Sequence, residues 1–124
     1  MSGYLLDTQV ILWGAREPTR LSRRAVEILR SQSDVFVSAA SIWEIETKRQ
    51  IGKLTVDIDL TRYLRDHGFL ELPIAWPHAR EVGRLPLIHR DPFDRILAAQ
   101  ALVENLVLVS ADRDLARYPI RTVF

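Results

Sequence analysis

The chain has 124 residues, a formal net charge of +1, 48% apolar residues and 27% charged residues. Those values belong to an ordinary globular protein and exclude a disordered tail, a collagen and a coiled coil. There is no cysteine, so disulfides, thiolate metal sites and cysteine nucleophiles drop out.

In chain order, Gly3 to Leu6 reads as a short strand that meets Asp7 at once. Leu21, Ala25, Ile28 and Leu29 recur at helical spacing after Pro18 and Thr19. Asp34-Val35-Phe36-Val37 is β-branched and aromatic, which predicts a second strand. A helix is expected from Ser38 to Ser41 onward, marked by Ile42, Trp43, Ile45 and Ile51. Leu60, Tyr63 and Leu64 predict a shorter one, and Phe69 to Leu72 a third strand stopped by Pro73. Another helix is expected within Pro77 to Leu85. Pro92 to Glu104 is the clearest helix, with Asp91 as its cap and Pro92 at its first position. Phe93, Ile96, Leu97 and Ala101 are its expected inner face. Leu106 to Val109 and Ile120 to Phe124 complete five strands. Strands alternating with helices imply an α/β fold, a mostly parallel five-stranded sheet with helices on both faces.

The length predicts one domain over 1–124. No apolar run approaches the ~18 residues of a membrane span, and Asp7 follows the start without a basic leader. A cytoplasmic protein with no membrane partner is expected. Of the 17 basic residues only Lys48 and Lys53 are lysine; the arginine excess suits planar contact with phosphate, or reflects GC-rich coding. Near-zero net charge argues against bulk coating of nucleic acid.

In such a sheet the active crevice lies beyond the carboxyl ends of the strands. Asp7 follows the first strand there, and Glu44 stands in the first turns after the second. Asp91 and Asp94 open the clearest helix, and Asp112 and Asp114 follow the fourth strand. Carboxylates brought together repel one another and call for a cation. Oxygen donors alone suit Mg²⁺ or Mn²⁺ rather than zinc. Each acid also has a plain structural reading. Asp7, Asp91 and Asp112 are placed to cap helices, Asp94 suits a helix N-terminus, and Ser41 to Glu44 matches a capping box.

Other chemistries lack their residues. His67, His78 and His89 are dispersed, with no paired zinc ligands, and no phosphate-cradling glycine loop or serine-esterase elbow occurs. His89 lies beside the acids and is a candidate substrate contact; Arg90 and Arg95 flank them and are candidates to hold phosphate. Trp13, Trp43 and Trp76 are expected in the core or an interface, and the basic start Arg20 to Arg24 on a solvated face.

Four stretches together resemble the PIN-domain ribonucleases, and among these the VapC toxins of bacterial and archaeal toxin–antitoxin modules. They are Leu5 to Thr8, Val37 to Ile45, His89 to Ala101 and Leu108 to Asp112. The resemblance runs nearly end to end, through the Gly52-Lys53-Leu54 turn and Tyr118-Pro119. It implies a three-layer α/β/α sandwich and Mg²⁺- or Mn²⁺-dependent cleavage of RNA within the chain. It also implies a VapB-like antitoxin partner, a homodimer and larger complexes with the antitoxin. By position it sets the metal-binding acids at Asp7, Glu44, Asp94 and Asp112. Asp91, Ser110, Asp114 and Thr8 would be accessory, Ser110 by orienting the acids and Asp114 as an alternative fourth acid. Gln9 departs from the His or Asn common in close relatives. Water activated at such a site would leave 5′-phosphate and 3′-hydroxyl ends without using the 2′-OH, so cleavage of DNA is chemically open.

Two alternatives stand beside this reading. One is a binding module whose acids only cap helices and which acts through a partner. The other, a receiver-like phosphoacceptor, would want an acidic pair at the first strand and a late lysine; Asp7 is alone there and neither lysine is late.

Overall fold

The computed structural model describes residues 2–124. β1 (Tyr4–Leu6) is followed by α1 (Thr8–Arg16) and α2 (Arg23–Arg30), then β2 (Val35–Ser38) and α3 (Ala39–Gln50). After these come α4 (Leu60–Asp66), β3 (Leu70–Leu72), α5 (Trp76–Val82) and α6 (Pro92–Glu104). β4 (Val107–Val109) and β5 (Thr122–Val123) close the chain. Short 3₁₀ turns lie at Pro18–Arg20 and Leu115–Arg117.

The five strands form one sheet in the order β3-β2-β1-β4-β5, and every pairing is parallel. Side chains alternate across the strands, so the sheet builds two cores. Leu6, Val35, Val37 and Val109 meet α1 to α4 through Val10, Ile28, Ile45 and Leu64. Leu5, Phe36, Leu72 and Leu108 meet α6 through Leu97, Ala98 and Ala101. The α/β/α sandwich expected from the sequence is therefore present. Alanines along the inner face of α6 bring its backbone close to the sheet, and Asn105 ends it in the left-handed conformation. Gly3, just before β1, has a φ of +124°, and a Cβ there would lie 2.4 Å from the Asp34 carbonyl oxygen. Only glycine allows β1 to pair there with the start of β2.

The differences from expectation lie on surfaces. Trp43 is 62% and Trp76 88% exposed, so neither belongs to the core. Ser38, not Ser41, caps α3, its hydroxyl accepting the Ala40 N–H at 3.0 Å. Ser41 sits a turn inside the helix and accepts the Thr8 hydroxyl at 2.9 Å. The capping box read at Ser41 and Glu44 is thereby corrected, and Glu44 is left for another role. Arg20 and Arg24 pair with exposed Glu17 and Glu27, as a solvated face would. Among the described residues no helix is long and apolar enough to cross a membrane.

Candidate metal centre

The chain builds β1, β2 and β3 outward in one direction and then returns to the other side of β1 with β4. That reversal is a topological switch point, where the loops after adjacent strands diverge and leave a crevice. Asp7 and Ser110 are the first residues beyond β1 and β4. The Asp7 N–H donates to the Val109 carbonyl at 3.0 Å, which locks the two exits together. α3 brings Glu44 to the same place, and the first turn of α6 brings Asp94.

Asp7, Glu44 and Asp94 line one cleft of about 390 Å³. Its acids are Asp7, Glu44, Asp91, Asp94 and Asp112, and Lys48 is its one basic side chain among the described residues. Glu44 is buried; its Oε2 accepts from Lys48 Nζ at 2.6 Å, and its Oε1 has no hydrogen-bond partner. A buried carboxylate oxygen without a partner is costly unless a cation completes it. Asp7 is also buried, and its Oδ2 accepts the Ser110 hydroxyl at 2.6 Å. Burial raises the Asp7 pKa, the charges of Asp112 and Glu44 add to the rise, and the Ser110 hydrogen bond opposes it. Asp94 is pushed up to about 7, first by burial and then by the charges of Asp7 and Asp91. The cleft thus holds more negative charge than its own residues neutralise. Its central donors are carboxylate oxygens, a set that fits a hard divalent cation.

The remaining expected residues are placed around this centre. Asp91 lines the cleft and also caps α6, its Oδ1 accepting the Phe93 N–H at 2.8 Å. Asp112 points one oxygen at the backbone N–H groups of Asp114 and Leu115 and the other at His89 Nε2, 2.9 Å away. His89 Nδ1 lies 3.7 Å from Asp94 Oδ2, so the imidazole spans two acids. His89, Asp112 and Asp114 offer ligand atoms within 4.8 Å of one another, a second potential ligand group that shares Asp112 with the cleft. Asp114 itself is exposed, pairs with Arg117 and does not line the cleft. Thr8 is buried at the start of α1 and ties it to α3 through Ser41.

Arg95 departs from its expected phosphate-holding role. Its guanidinium turns away from the acids and is buried, donating to the carbonyls of Val82 at 2.8 Å and Pro86 at 2.9 Å. It also donates to the Tyr118 hydroxyl at 3.2 Å. Adjacent residues on a helix point about 100° apart, so Arg95 cannot share the outlook of Asp94. The Tyr118 hydroxyl in turn accepts the His89 N–H at 2.8 Å, so Arg95 and Tyr118 fix the loop that carries His89. Arg90 is exposed and outside the cleft lining. The sequence reading missed Lys48. Its signal was present: one of two lysines, four residues after Glu44, on the same helix face.

A family model described as PIN domain matches residues 4–121. The chain belongs to the PIN-domain family. Ribonuclease VapC22 of Mycobacterium tuberculosis is 27% identical over 126 residues, covering 93% of this chain and 91% of that protein. The fold superimposes on VapBC2 from Rickettsia felis bound to a promoter DNA fragment, with a TM-score of 0.74 and 17% identity. That match covers 99% of this chain and 98% of the other. DNA-bound VapBC from Salmonella typhimurium gives a TM-score of 0.71 at 18% identity, over 99% and 98% of the two chains. FitAcB from Neisseria gonorrhoeae gives 0.64 at 21%, over 98% and 96%. At these identities the solved structures establish the shared fold. The PIN cleft described above is thus built by a PIN-type sheet.

Proposed function

We propose that this PIN protein is a metal-dependent endoribonuclease toxin, neutralised by a VapB-like antitoxin. The observation that carries the catalytic part is the buried Glu44 with its unpartnered Oε1, set among Asp7, Asp94 and Asp112 at the sheet's switch point. The name of the Mycobacterium tuberculosis relative supports RNA as substrate. The VapBC complexes among the solved neighbours support the antitoxin as partner. A homodimer and larger complexes with the antitoxin belong to the same proposal.

Asp7, Glu44, Asp94 and Asp112 would hold Mg²⁺ or Mn²⁺. Such a cation lowers the pKa of a bound water and stabilises charge developing on the phosphate. The chain's own groups set up that chemistry. Ser110 fixes the Asp7 carboxyl through Oδ2. His89 holds Asp112 and leans on Asp94, which keeps the two acids from drifting apart. Lys48 draws Glu44 Oε2 to the cleft wall. Arg90, exposed beside Asp91, is free to meet a backbone phosphate as RNA enters.

Cleavage of a pool of structured RNAs tests the reading, with Mg²⁺, Mn²⁺ or EDTA and with Asp94→Asn in parallel. Cuts with 5′-phosphate ends, lost in EDTA and in the variant, are expected. Metal-independent cuts, or full activity in the variant, would refute it. A folded chain that binds no metal would favour a non-catalytic binding module.

A further inference from the structure

We propose that Lys48 takes the place of a second divalent cation, so that the loaded cleft holds one ion; this rests on the metal-dependent nuclease reading above. Nucleases that use two ions set them about 3.5–4 Å apart, with carboxylates serving both. Here the carboxylates at the two flanks are already engaged by nitrogen donors. Lys48 Nζ sits 2.6 Å from Glu44 Oε2, and His89 Nε2 sits 2.9 Å from Asp112 Oδ2. The other Asp112 oxygen accepts the Asp114 N–H at 2.8 Å. That leaves Glu44 Oε1 as the unpartnered carboxylate oxygen beside Asp7, Asp94 and Asp112, with Asp7 Oδ2 held by Ser110. One such group of acids, completed by water, suits one octahedral cation.

The Lys48 pair differs from an ordinary helix-surface pair. On the same helix Arg49 and Glu46 meet at 3.0 Å with both side chains well exposed, 39% and 59%. Glu44 is 6% exposed, while the Lys48 side chain reaches it from the mouth of the cleft at 47%. The ammonium therefore places a fixed positive charge against a desolvated carboxylate, inside a cleft that four other acids line. A compact ammonium supplies charge without the ligand-exchange demands of a metal.

Calorimetric titration of the full chain with MnCl₂ tests this directly. One Mn²⁺ per chain is expected for the wild type and for Lys48→Arg. Lys48→Met is expected to take up a second Mn²⁺, or to bind the first at least tenfold more tightly. Two ions in the wild type, or unchanged stoichiometry and affinity in Lys48→Met, would overturn the role of Lys48 and leave the nuclease reading standing. No Mn²⁺ bound by the wild type would overturn the nuclease reading itself.

Discussion

Two polar clusters lie toward the two ends of α6, and their chemistry differs. At the C-terminal end, His78 Nδ1 accepts the Ala75 N–H at 2.9 Å, which places the ring proton on Nε2, 2.8 Å from Glu104. Gln100 donates from the same cluster to the Pro73 carbonyl at 3.2 Å. Donors and acceptors there alternate, and a neutral amide oxygen on Gln100 is its one unpartnered atom. At the N-terminal end the cleft gathers five acids, one lysine and an unpartnered carboxylate oxygen. The first cluster fastens α5 to α6. The second is a charge excess that the fold tolerates without relieving. Both are polar and largely buried, so burial alone does not separate them; unbalanced charge at a sheet's switch point does.

The sharpest way to break this contrast is to neutralise one acid. Asp94→Asn should lower RNA cleavage by more than about 100-fold, since even residues that merely support metal ligands cost about 10–100-fold when lost. The same variant should melt at a higher temperature than the wild type without metal at pH 8. The His78 cluster predicts the opposite sign. His78→Ala should lower stability by about 2–4 kcal/mol in denaturant titration, because it opens a cavity and strands Glu104. Its Mn²⁺ binding should be unchanged.

pH sharpens the comparison further. Asp94 moves from an ordinary 3.8 to about 7, so the folded chain holds its proton more tightly than the unfolded chain does. Its contribution to stability is complete below about 3.8 and is lost as pH rises to about 7; Asp7 acts in the same direction. Thermal melts without metal should therefore fall between pH 4 and 8. The loss is a few kcal/mol at most, reduced by solvent at the cleft mouth. Saturating Mn²⁺ should remove most of it. The smallest effect belongs to Tyr118→Phe, which frees the His89 loop. About tenfold slower cleavage and about 1 kcal/mol of lost stability are expected from assays on the purified variant.

Much of this architecture was legible in the sequence. Apolar runs ending at Asp7 and Ser110 marked buried parallel strands, and Asp91-Pro92 marked the start of α6. Local patterns failed where a partner lies far along the chain. Arg95 looked like an active-site cation because it adjoins Asp94, yet its carbonyl partners lie 9 to 13 residues back. The His89 and Asp112 pairing spans 23 residues and leaves no periodic trace. Trp43 is expected in the core or an interface, and the core half of that expectation fails: it packs edge-on against Phe93 with ring centroids 4.9 Å apart and stays at the surface. Ser41 looked like a cap because the β2 to α3 turn comes three residues earlier than its spacing suggests.

The central claim is that the cleft is an uncompensated acidic centre completed by a divalent cation. Melting the wild type and Asp94→Asn at pH 8, each with and without Mn²⁺, tests it most directly. The account predicts a large Mn²⁺-dependent rise for the wild type. For the variant it predicts a higher starting point and a much smaller rise. Equal melting temperatures with and without Mn²⁺ in the wild type would contradict it.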